Sequence, residues 1–199
     1  LKPGMIIEKI NDTLITEITN IETLLNQKEG KITLISIYDP TNNKRWDEKI
    51  KPVSIADENE MLYQRWIKNR RDEVTRLSNG KIGYVHVRGM NDNSFRQVFS
   101  EVFGLNNDKD AIMIDTRFNG GGWLHDDIAT LFSGKRYVDY VPRNQYIGSD
   151  PMNKWFKKSI MLVSEGNYSD AHGTPYIYKT LGIGKLVGMP VPGTMTAVW

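Results

Sequence analysis

The sequence contains no cysteine, and that absence removes several classes of site at once. Disulfide frameworks, thiolate zinc sites and cysteine nucleophiles all require a thiol, so none of them operates in this chain. The absence does not identify a compartment, because an exported protein need not contain disulfides. The localisation therefore stays open between cytoplasm and periplasm.

Charge of one sign and long apolar runs are also scarce. Lys and Arg total 26 against 24 Asp and Glu, so the formal net charge is only +2, far below what binding along a nucleic-acid backbone needs. No apolar run approaches the ~20 residues of a membrane helix. We therefore expect no nucleic-acid partner and no membrane span. The 199 residues, 39% of them hydrophobic, suit one large globular domain or two small ones.

Residues 1–55 are predicted to form a small β-rich module. A strand over Met5–Ile10 follows a Pro-Gly turn, and residues 31–38 and 45–55 alternate as the two strands of a β-hairpin. The segment Thr19-Asn20-Ile21-Glu22 has the spacing of a capping box. This spacing predicts Thr19 as the N-cap of a short helix that ends at Gly30.

The periodicity then changes to that of a helix and, after it, to an alternation of strands and helices. Residues 56–80 are predicted as a connecting helix, and residues 81–199 as an α/β module. The strands Ala111–Ile114 and Ile160–Val163 are apolar throughout, as strands of a sheet covered on both faces must be. The predicted fold class is therefore α/β, or α+β for the chain as a whole.

Each of these two apolar strands is followed by a turn that could carry chemistry, where open α/β sheets commonly bind ligands. The first turn, Asp115 to Trp123, contains the glycines 120, 121 and 122 before a predicted helix. Successive glycines allow positive φ angles and leave bare N–H groups that can bind an anion or a developing oxyanion. The spacing matches neither the dinucleotide fingerprint nor the P-loop. A flexible turn without chemistry is the alternative.

The second turn brings Ser169 to the start of a predicted helix. Serine is a preferred N-cap, so a capping role is one interpretation. The other interpretation is a nucleophile. The oxyanion that develops in its reaction would be stabilised by the amide of Asp170 at the positive end of the helix, together with glycine amides from the first turn. The Gly-x-Ser-x-Gly elbow of the α/β-hydrolases is absent, because position 167 is Asn.

These segments together resemble the tricorn-type serine peptidases, which are relatives of the C-terminal processing peptidases. Residues 1–11 resemble the early part of their PDZ domain, and residues 115–122 resemble their oxyanion loop. Residues 167–170 and 181–188 resemble their nucleophile segment. The resemblance implies that Ser169 is the nucleophile and that the amides of Gly121 or Gly122 and of Asp170 stabilise the oxyanion.

The resemblance also implies a domain organisation and a set of partners. Residues 1–55 would be a partial PDZ-like domain, residues 56–80 a connecting helix, and residues 81–199 part of a catalytic domain with a crotonase/ClpP-like α/β core of strand-turn-helix units. The substrate would be a peptide or an unfolded protein, and no cofactor is expected. Tricorn-type enzymes form large rings, so a homo-oligomer is a possible assembly.

The general base of such an enzyme is not found where one branch of the family would have it. Processing peptidases carry a Lys 25 residues after the serine, and the corresponding residue here is Thr194. The tricorn-type branch takes a His from before the PDZ domain and an acidic partner from well after the nucleophile. Both would lie outside Leu1–Trp199, so we expect this chain to be a segment of a longer protein, inactive by itself.

The three histidines are candidate substitutes for that base. His86 alternates along a strand and is predicted to be structural. His125 precedes Asp126 and Asp127, but consecutive helical residues do not share a face, so a solvated helix start is favoured over a metal site. His172 replaces an acid that the family more often has. It lies one helical turn after the serine, so its ring is expected to point away from the hydroxyl, and whether it has a role stays open.

Asp139 lies near the position where tricorn-type enzymes carry an acid that selects basic residues before the scissile bond. An acid on an edge strand that faces water is the alternative interpretation. Two other functions compete with peptidase activity for the whole chain: a non-catalytic PDZ-type peptide-binding module that captures a chain terminus by β-augmentation, and a crotonase-like acyl-CoA enzyme, whose fold also uses glycine amides as an oxyanion hole.

Overall fold

A computed structural model describes residues 1–196, and the chain divides into two compact units, residues 1–65 and residues from Trp66 onward. The boundary lies within helix α2, Ile55–Leu77, in the region predicted as a connecting helix. Ser54 begins this helix, because its Oγ accepts the N–H of Asp57 at 3.0 Å. No helix in residues 1–196 is both long and apolar enough to cross a bilayer.

The first unit is a four-stranded antiparallel sheet with one short helix. Its elements are β1 (Ile6–Ile10), β2 (Thr13–Leu14), α1 (Ile21–Leu25), β3 (Thr33–Asp39) and β4 (Lys44–Ile50). The strands lie in the order β2-β1-β3-β4. The core is formed by Ile10, Ile35 and Ile37. The predicted hairpin of β3 and β4 is present.

The predicted cap of α1 is wrong by one residue. Asn20 is the N-cap, and its Oδ1 accepts the amides of Glu22 at 3.0 Å and Thr23 at 3.4 Å. The Thr19 hydroxyl is used in the preceding turn, where it accepts the N–H of Thr16 at 2.8 Å. The helix ends at Leu25, well before Gly30.

The second unit is built on a parallel sheet with helices packed against it. Its elements after α2 are β5 (Ile82–His86), α3 (Asp92–Ser100), β6 (Ala111–Asp115), α4 (His125–Phe132), β7 (Val138–Tyr140), β8 (Gly148–Asp150), β9 (Lys158–Val163), α5 (Asp170–Thr180) and β10 (Lys185–Gly188). The parallel strands lie in the order β10-β9-β6-β5, which confirms the mixed α/β fold class. A separate antiparallel pair is formed by β7 and β8. The α3 helix continues as a π-helical turn over Glu101–Leu105, which the sequence pattern did not predict.

The core of the second unit lies around the two central strands. No residue of β6 is exposed, in agreement with the prediction of a strand covered on both faces. The buried core side chains come from α3, α4 and α5 and from the central strands β6 and β9. They include Val98, Ile112, Ile114, Ile128, Leu131, Met161 and Tyr178.

Strand β6 ends in a fully buried carboxylate. Asp115 Oδ2 accepts hydrogen bonds from the Tyr84 hydroxyl at 2.7 Å and from Arg117 Nη2 at 2.6 Å, and Oδ1 accepts from the backbone N–H and Nε of Arg117 at 3.0 and 2.9 Å. Burial by itself would raise the pKa of Asp115, but the hydrogen bonds from Arg117 and Tyr84 outweigh it and leave that pKa lowered. The ionised carboxylate therefore fixes the strand end from which the glycine turn starts.

Replacing Asp115 by Asn should lower the free energy of unfolding by about 1–3 kcal/mol at neutral pH, because charge-assisted bonds to a buried group are lost. A lowered folded-state pKa contributes stability that is fully present above the unfolded pKa of about 3.9 and is lost as pH falls through the folded value. The difference between wild type and D115N in urea unfolding should therefore shrink as the pH falls below the unfolded pKa of about 3.9. A pH-independent difference would contradict this assignment.

Candidate active site

The turns that follow β6 and β9 meet at one edge of the sheet. The two strands are parallel neighbours, with Asp115 paired to Leu162, so both turns leave the sheet on the same side. The backbone joins them directly, since the N–H of Tyr168 donates to the carbonyl of Asn119 at 2.9 Å. The N–H of Phe118 donates to Ser164 Oγ at 3.3 Å. The two sequence segments predicted to carry chemistry are therefore in contact.

A buried asparagine fixes the glycine turn. Asn119 is fully buried, and its Nδ2 donates to the carbonyl of Val87, just after β5, at 2.8 Å. Its Oδ1 accepts the N–H of Gly121 at 2.9 Å. Together with its carbonyl bond to Tyr168, this residue ties the glycine turn to β5 and to the serine turn.

A second buried asparagine fixes the serine turn. Asn167 Oδ1 accepts the N–H and the hydroxyl of Ser164, both at 3.2 Å. Its Nδ2 donates to Thr116 Oγ1 at 2.9 Å and to the carbonyl of Ala171 at 3.1 Å. Every polar atom of this buried amide has a partner, which explains why Asn stands where the hydrolase elbow has Gly.

The close approach of the two turns requires glycine at two of the three glycine positions. Gly121 has a φ of +96°, and a Cβ placed on it would lie 2.7 Å from Ser169 Cβ and 2.8 Å from the Tyr168 carbonyl oxygen. Gly122 has a φ of +140°, and its Cβ would lie 2.0 Å from the carbonyl oxygen of Met90. A Cβ on Gly120 would meet nothing within 4 Å. The structure thus brings Gly121 against Ser169, while the next residue, Gly122, lies against Met90.

Ser169 has an uncommon backbone conformation for a residue with a side chain. Its φ and ψ are +52° and −122°, a strained region for any residue except glycine. Its hydroxyl makes no capping hydrogen bond to α5, and within residues 1–196 it has no hydrogen-bond partner. The capping interpretation of this serine is therefore not supported. Its N–H donates to Thr194 Oγ1 at 3.2 Å, so the residue found at the lysine position contacts the serine backbone.

The free amides near Ser169 can be identified from the hydrogen bonds. The N–H of Gly121 already donates to Asn119. The N–H groups of Gly122 and Asp170 donate to no acceptor within the described residues. The Asp170 nitrogen lies 3.2 Å from the Cβ position of Gly121, so it is next to the glycine turn. Of the two glycines predicted as oxyanion donors, Gly122 is the one whose N–H is unengaged.

The prediction that His125 is a solvated helix start is wrong. Its side chain is only 12% exposed, and its Nδ1 lies 2.5 Å from Oδ1 of the buried Asp170 carboxylate. Asp170 Oδ2 accepts the backbone N–H groups of Leu124 at 2.6 Å and of His125 at 3.2 Å. Sequence proximity relates this histidine only to the neighbouring acids Asp126 and Asp127, whereas its partner lies 45 positions away.

The other two histidines are held away from the serine hydroxyl. His86 Nε2 contacts the Arg117 carbonyl at 3.3 Å, and burial lowers the pKa of this imidazole, as expected for a structural strand residue. His172 Nδ1 accepts the N–H of Met195 at 3.0 Å. Neither ring is hydrogen-bonded to Ser169 in the described part of the chain. Among these residues, no group of three or more His, Asp or Glu side chains is arranged to hold a metal ion.

Asp139 lies on β7, in the small antiparallel pair. Its side chain is 46% exposed, and Oδ1 lies 3.5 Å from Nη1 of Arg136. None of its contacts joins it to the residues around Ser169. Asp139 is therefore an exposed acid on a short strand, with Arg136 as its ion-pair partner.

Comparison with known proteins gives consistent matches. The model of the family described as Peptidase family S41 matches residues 81–199. The Tricorn protease of Thermoplasma acidophilum is 28% identical over 196 residues, which cover 98% of this chain and 18% of that protein. A Tricorn protease homolog of Saccharolobus solfataricus is 26% identical over 179 residues, covering 90% of this chain and 16% of the homolog.

The fold of the whole chain also has a solved counterpart. A crystal structure of the tricorn protease matches with a TM-score of 0.83 and 28% identity, over 98% of this chain and 19% of that chain. The chain therefore spans less than one fifth of the length of these relatives.

Replacing Gly121 by Ala should separate the two turns, because the new Cβ would collide with the backbone of Tyr168 and would hold a strained positive φ. We expect urea unfolding to show a loss of about 1–3 kcal/mol. Gly120→Ala is the matched control and should change stability by less than about 0.5 kcal/mol, since its Cβ meets open space. Equal losses in the two variants would show that the close approach is absent.

Proposed function

This chain belongs to peptidase family S41, and we propose that it carries the nucleophile and the oxyanion hole of a serine peptidase that hydrolyses peptides or unfolded proteins. The observation that carries this proposal is the position of Ser169. Its hydroxyl has no partner in residues 1–196, its backbone is strained, and it lies against Gly121. The residues that follow each of these two, Asp170 after the serine and Gly122 after the glycine, have unengaged N–H groups. The family match favours this activity over a crotonase-like acyl-CoA enzyme.

In the proposed reaction, Ser169 Oγ attacks the carbonyl carbon of the scissile peptide bond. The hydroxyl proton passes to a general base, and the C–O bond forms as the carbonyl oxygen becomes an oxyanion. Collapse of this intermediate breaks the C–N bond, and the base returns the proton to the departing amine. Water then attacks the acyl carbon and gives its proton to the base. The ester C–O bond to Ser169 Oγ breaks, and the base returns the proton to that oxygen. The strained backbone fixes the direction of the Ser169 side chain.

The oxyanion in this proposal is bound by the N–H groups of Gly122 and Asp170. Gly121 is not a donor, because its N–H donates to Asn119 Oδ1 and holds the turn in shape. The Asp170 amide lies at the first turn of α5, where the helix dipole favours negative charge. Donors that are already positioned stabilise the transition state without reorganisation, and each is worth about 10²–10³ in kcat.

We propose that the general base and its acidic partner come from segments outside these 199 residues. Within the described residues, His86, His125 and His172 all contact other groups, and none contacts the Ser169 hydroxyl. Thr194 occupies the position of the processing-peptidase lysine and has no basic group. A histidine that precedes the first unit, as the tricorn-type resemblance implies, would complete the set. In the same proposal, residues 1–55 are part of a PDZ-like domain.

The nucleophile assignment is tested by treating the full-length protein with a fluorophosphonate and measuring intact mass and the labelled peptide. We expect one adduct, on Ser169, in the wild type and in Ser133→Ala, an exposed serine of the same unit. Ser169→Ala should give no adduct and should lower peptide cleavage at least about 10³-fold, because no other group replaces the attacking oxygen. Unchanged cleavage by S169A would refute the assignment.

The assignment of Asp139 as a selector of basic side chains is a separate proposal. In the full-length protein, Asp139→Asn should lower kcat/KM for peptides with Arg or Lys before the scissile bond by about 10-fold or more, because one charge-assisted contact is lost. Cleavage after an uncharged residue should change little. Equal effects on both substrate types would favour the solvated edge residue.

A further inference from the structure

We propose that His125 is a positioning residue that fixes the distance between the two oxyanion donors by holding the carboxylate of Asp170. This inference rests on the proposed function, since it concerns the Gly122 and Asp170 amides assigned above. His125 reaches these amides through the side chain of Asp170 and has no contact with the Ser169 hydroxyl in the described residues.

Asp170 connects the two halves of the site with different parts of one residue. Its backbone nitrogen lies next to the glycine turn, 3.2 Å from the Cβ position of Gly121. The residue is buried, and its carboxylate reaches the start of α4. There Oδ2 accepts the N–H groups of Leu124 and His125 at 2.6 and 3.2 Å, and Oδ1 contacts His125 Nδ1 at 2.5 Å. The start of α5 is thereby fastened to the start of α4.

The chain between the glycine donor and α4 has little freedom to absorb a shift. The N–H of Met90 donates to the carbonyl of Gly121 at 3.0 Å, and the N–H of Trp123 donates to the carbonyl of Met90 at 2.8 Å. Only Trp123 separates Gly122 from Leu124, which is itself bonded to Asp170. A movement of Asp170 relative to α4 therefore changes the separation of the Gly122 and Asp170 amides.

The imidazole of His125 is the hydrogen-bond partner of Oδ1 in the buried Asp170 carboxylate. Without the imidazole, Oδ1 of Asp170 would have no hydrogen-bond donor among residues 1–196, and an unpaired buried carboxylate oxygen is costly. The carboxylate would rotate or admit water, and the bonds to Leu124 and His125 amides would weaken. The ring is held in place by Trp123, whose ring centroid lies 5.2 Å away in an edge-on arrangement.

The geometry assigns a positioning role to His125 rather than that of the general base. Nδ1 is directed at Asp170, and Nε2 lies 3.6 Å from Oδ1 of the exposed Asp126. The ring donates to this carboxylate oxygen through a proton on Nδ1. Both ring nitrogens are therefore directed at carboxylates, and neither is hydrogen-bonded to Ser169.

The test compares three variants of the full-length protein: His125→Ala, His125→Asn and Asp126→Asn. Asn can present an N–H close to the position of imidazole Nδ1, whereas D126N alters a nearby exposed charge only. The readouts are kcat, KM, the fluorophosphonate labelling rate of Ser169, the thermal midpoint, and inhibition by a peptide aldehyde. The aldehyde forms a tetrahedral adduct whose oxygen occupies the oxyanion hole.

A positioning role predicts that H125A lowers kcat, the labelling rate and aldehyde affinity together, each on the order of 10- to 100-fold, with KM changed by less than about 2-fold. H125N should recover most of each loss, and D126N should match the wild type. This rescue separates positioning from a simple loss of folding, because a variant that restores the hydrogen bond restores the rate.

Three outcomes would overturn the proposal. Equal labelling rates of H125A and wild type would show that the contact between His125 and Asp170 does not affect the oxyanion donors. A loss in H125N as large as that in Ser169→Ala would make His125 the base. A loss of thermal midpoint in H125A and H125N with unchanged rates at low temperature would leave only a structural role. Absence of any label on wild-type Ser169 is distinguishable from all three, because the proposed function itself then fails.

Discussion

The site depends on two buried asparagine side chains that fasten neighbouring turns of a parallel sheet. Asn119 links the glycine turn to the end of β5, and Asn167 links the serine turn to Thr116 and to the first turn of α5. Each buried amide finds partners for its donor and its acceptor, and leaving one unpaired would cost about 1–3 kcal/mol. If the turns separated, the side-chain amides of Asn119 and Asn167 would be exposed or would lose their hydrogen bonds. Their bonds therefore keep Gly121 against Ser169.

This constraint makes the other unusual features of the site possible. A serine at a φ of +52° persists only where its surroundings over-determine it. Here the N–H of the preceding residue, Tyr168, donates to the Asn119 carbonyl, and Asn167 Nδ2 donates to the carbonyl of Ala171 in the following helix. The same fixed backbone leaves the amides of Gly122 and Asp170 without acceptors in the described residues. One of these two amides belongs to the residue after the serine, and the other to the residue after Gly121, which lies against the serine.

Much of this arrangement follows from the sequence. The apolar strands β6 and β9 were predicted from their composition, and because parallel neighbours end at one edge, Ser169 and the glycines could be placed together. The contacts that hold the site could not be predicted, because they join residues far apart in the chain that no helix or strand periodicity relates. His125 and Asp170 lie 45 positions apart, and Ser169 and Thr194 lie 25 apart. The capping-box spacing also predicts the wrong N-cap for α1, Thr19, where the structure has Asn20. Spacing cannot show that the Thr19 hydroxyl is already bonded in the preceding turn.

The central claim is that the two turns form an oxyanion hole at Ser169, and a crystal structure of the full-length protein bound to a peptide aldehyde tests it most directly. The account predicts a covalent bond from Ser169 Oγ to the aldehyde carbon, with the former carbonyl oxygen 2.7–3.1 Å from the nitrogens of both Gly122 and Asp170. The Gly121 amide should remain bonded to Asn119. An adduct on another residue, or an oxygen directed into solvent, would contradict the account.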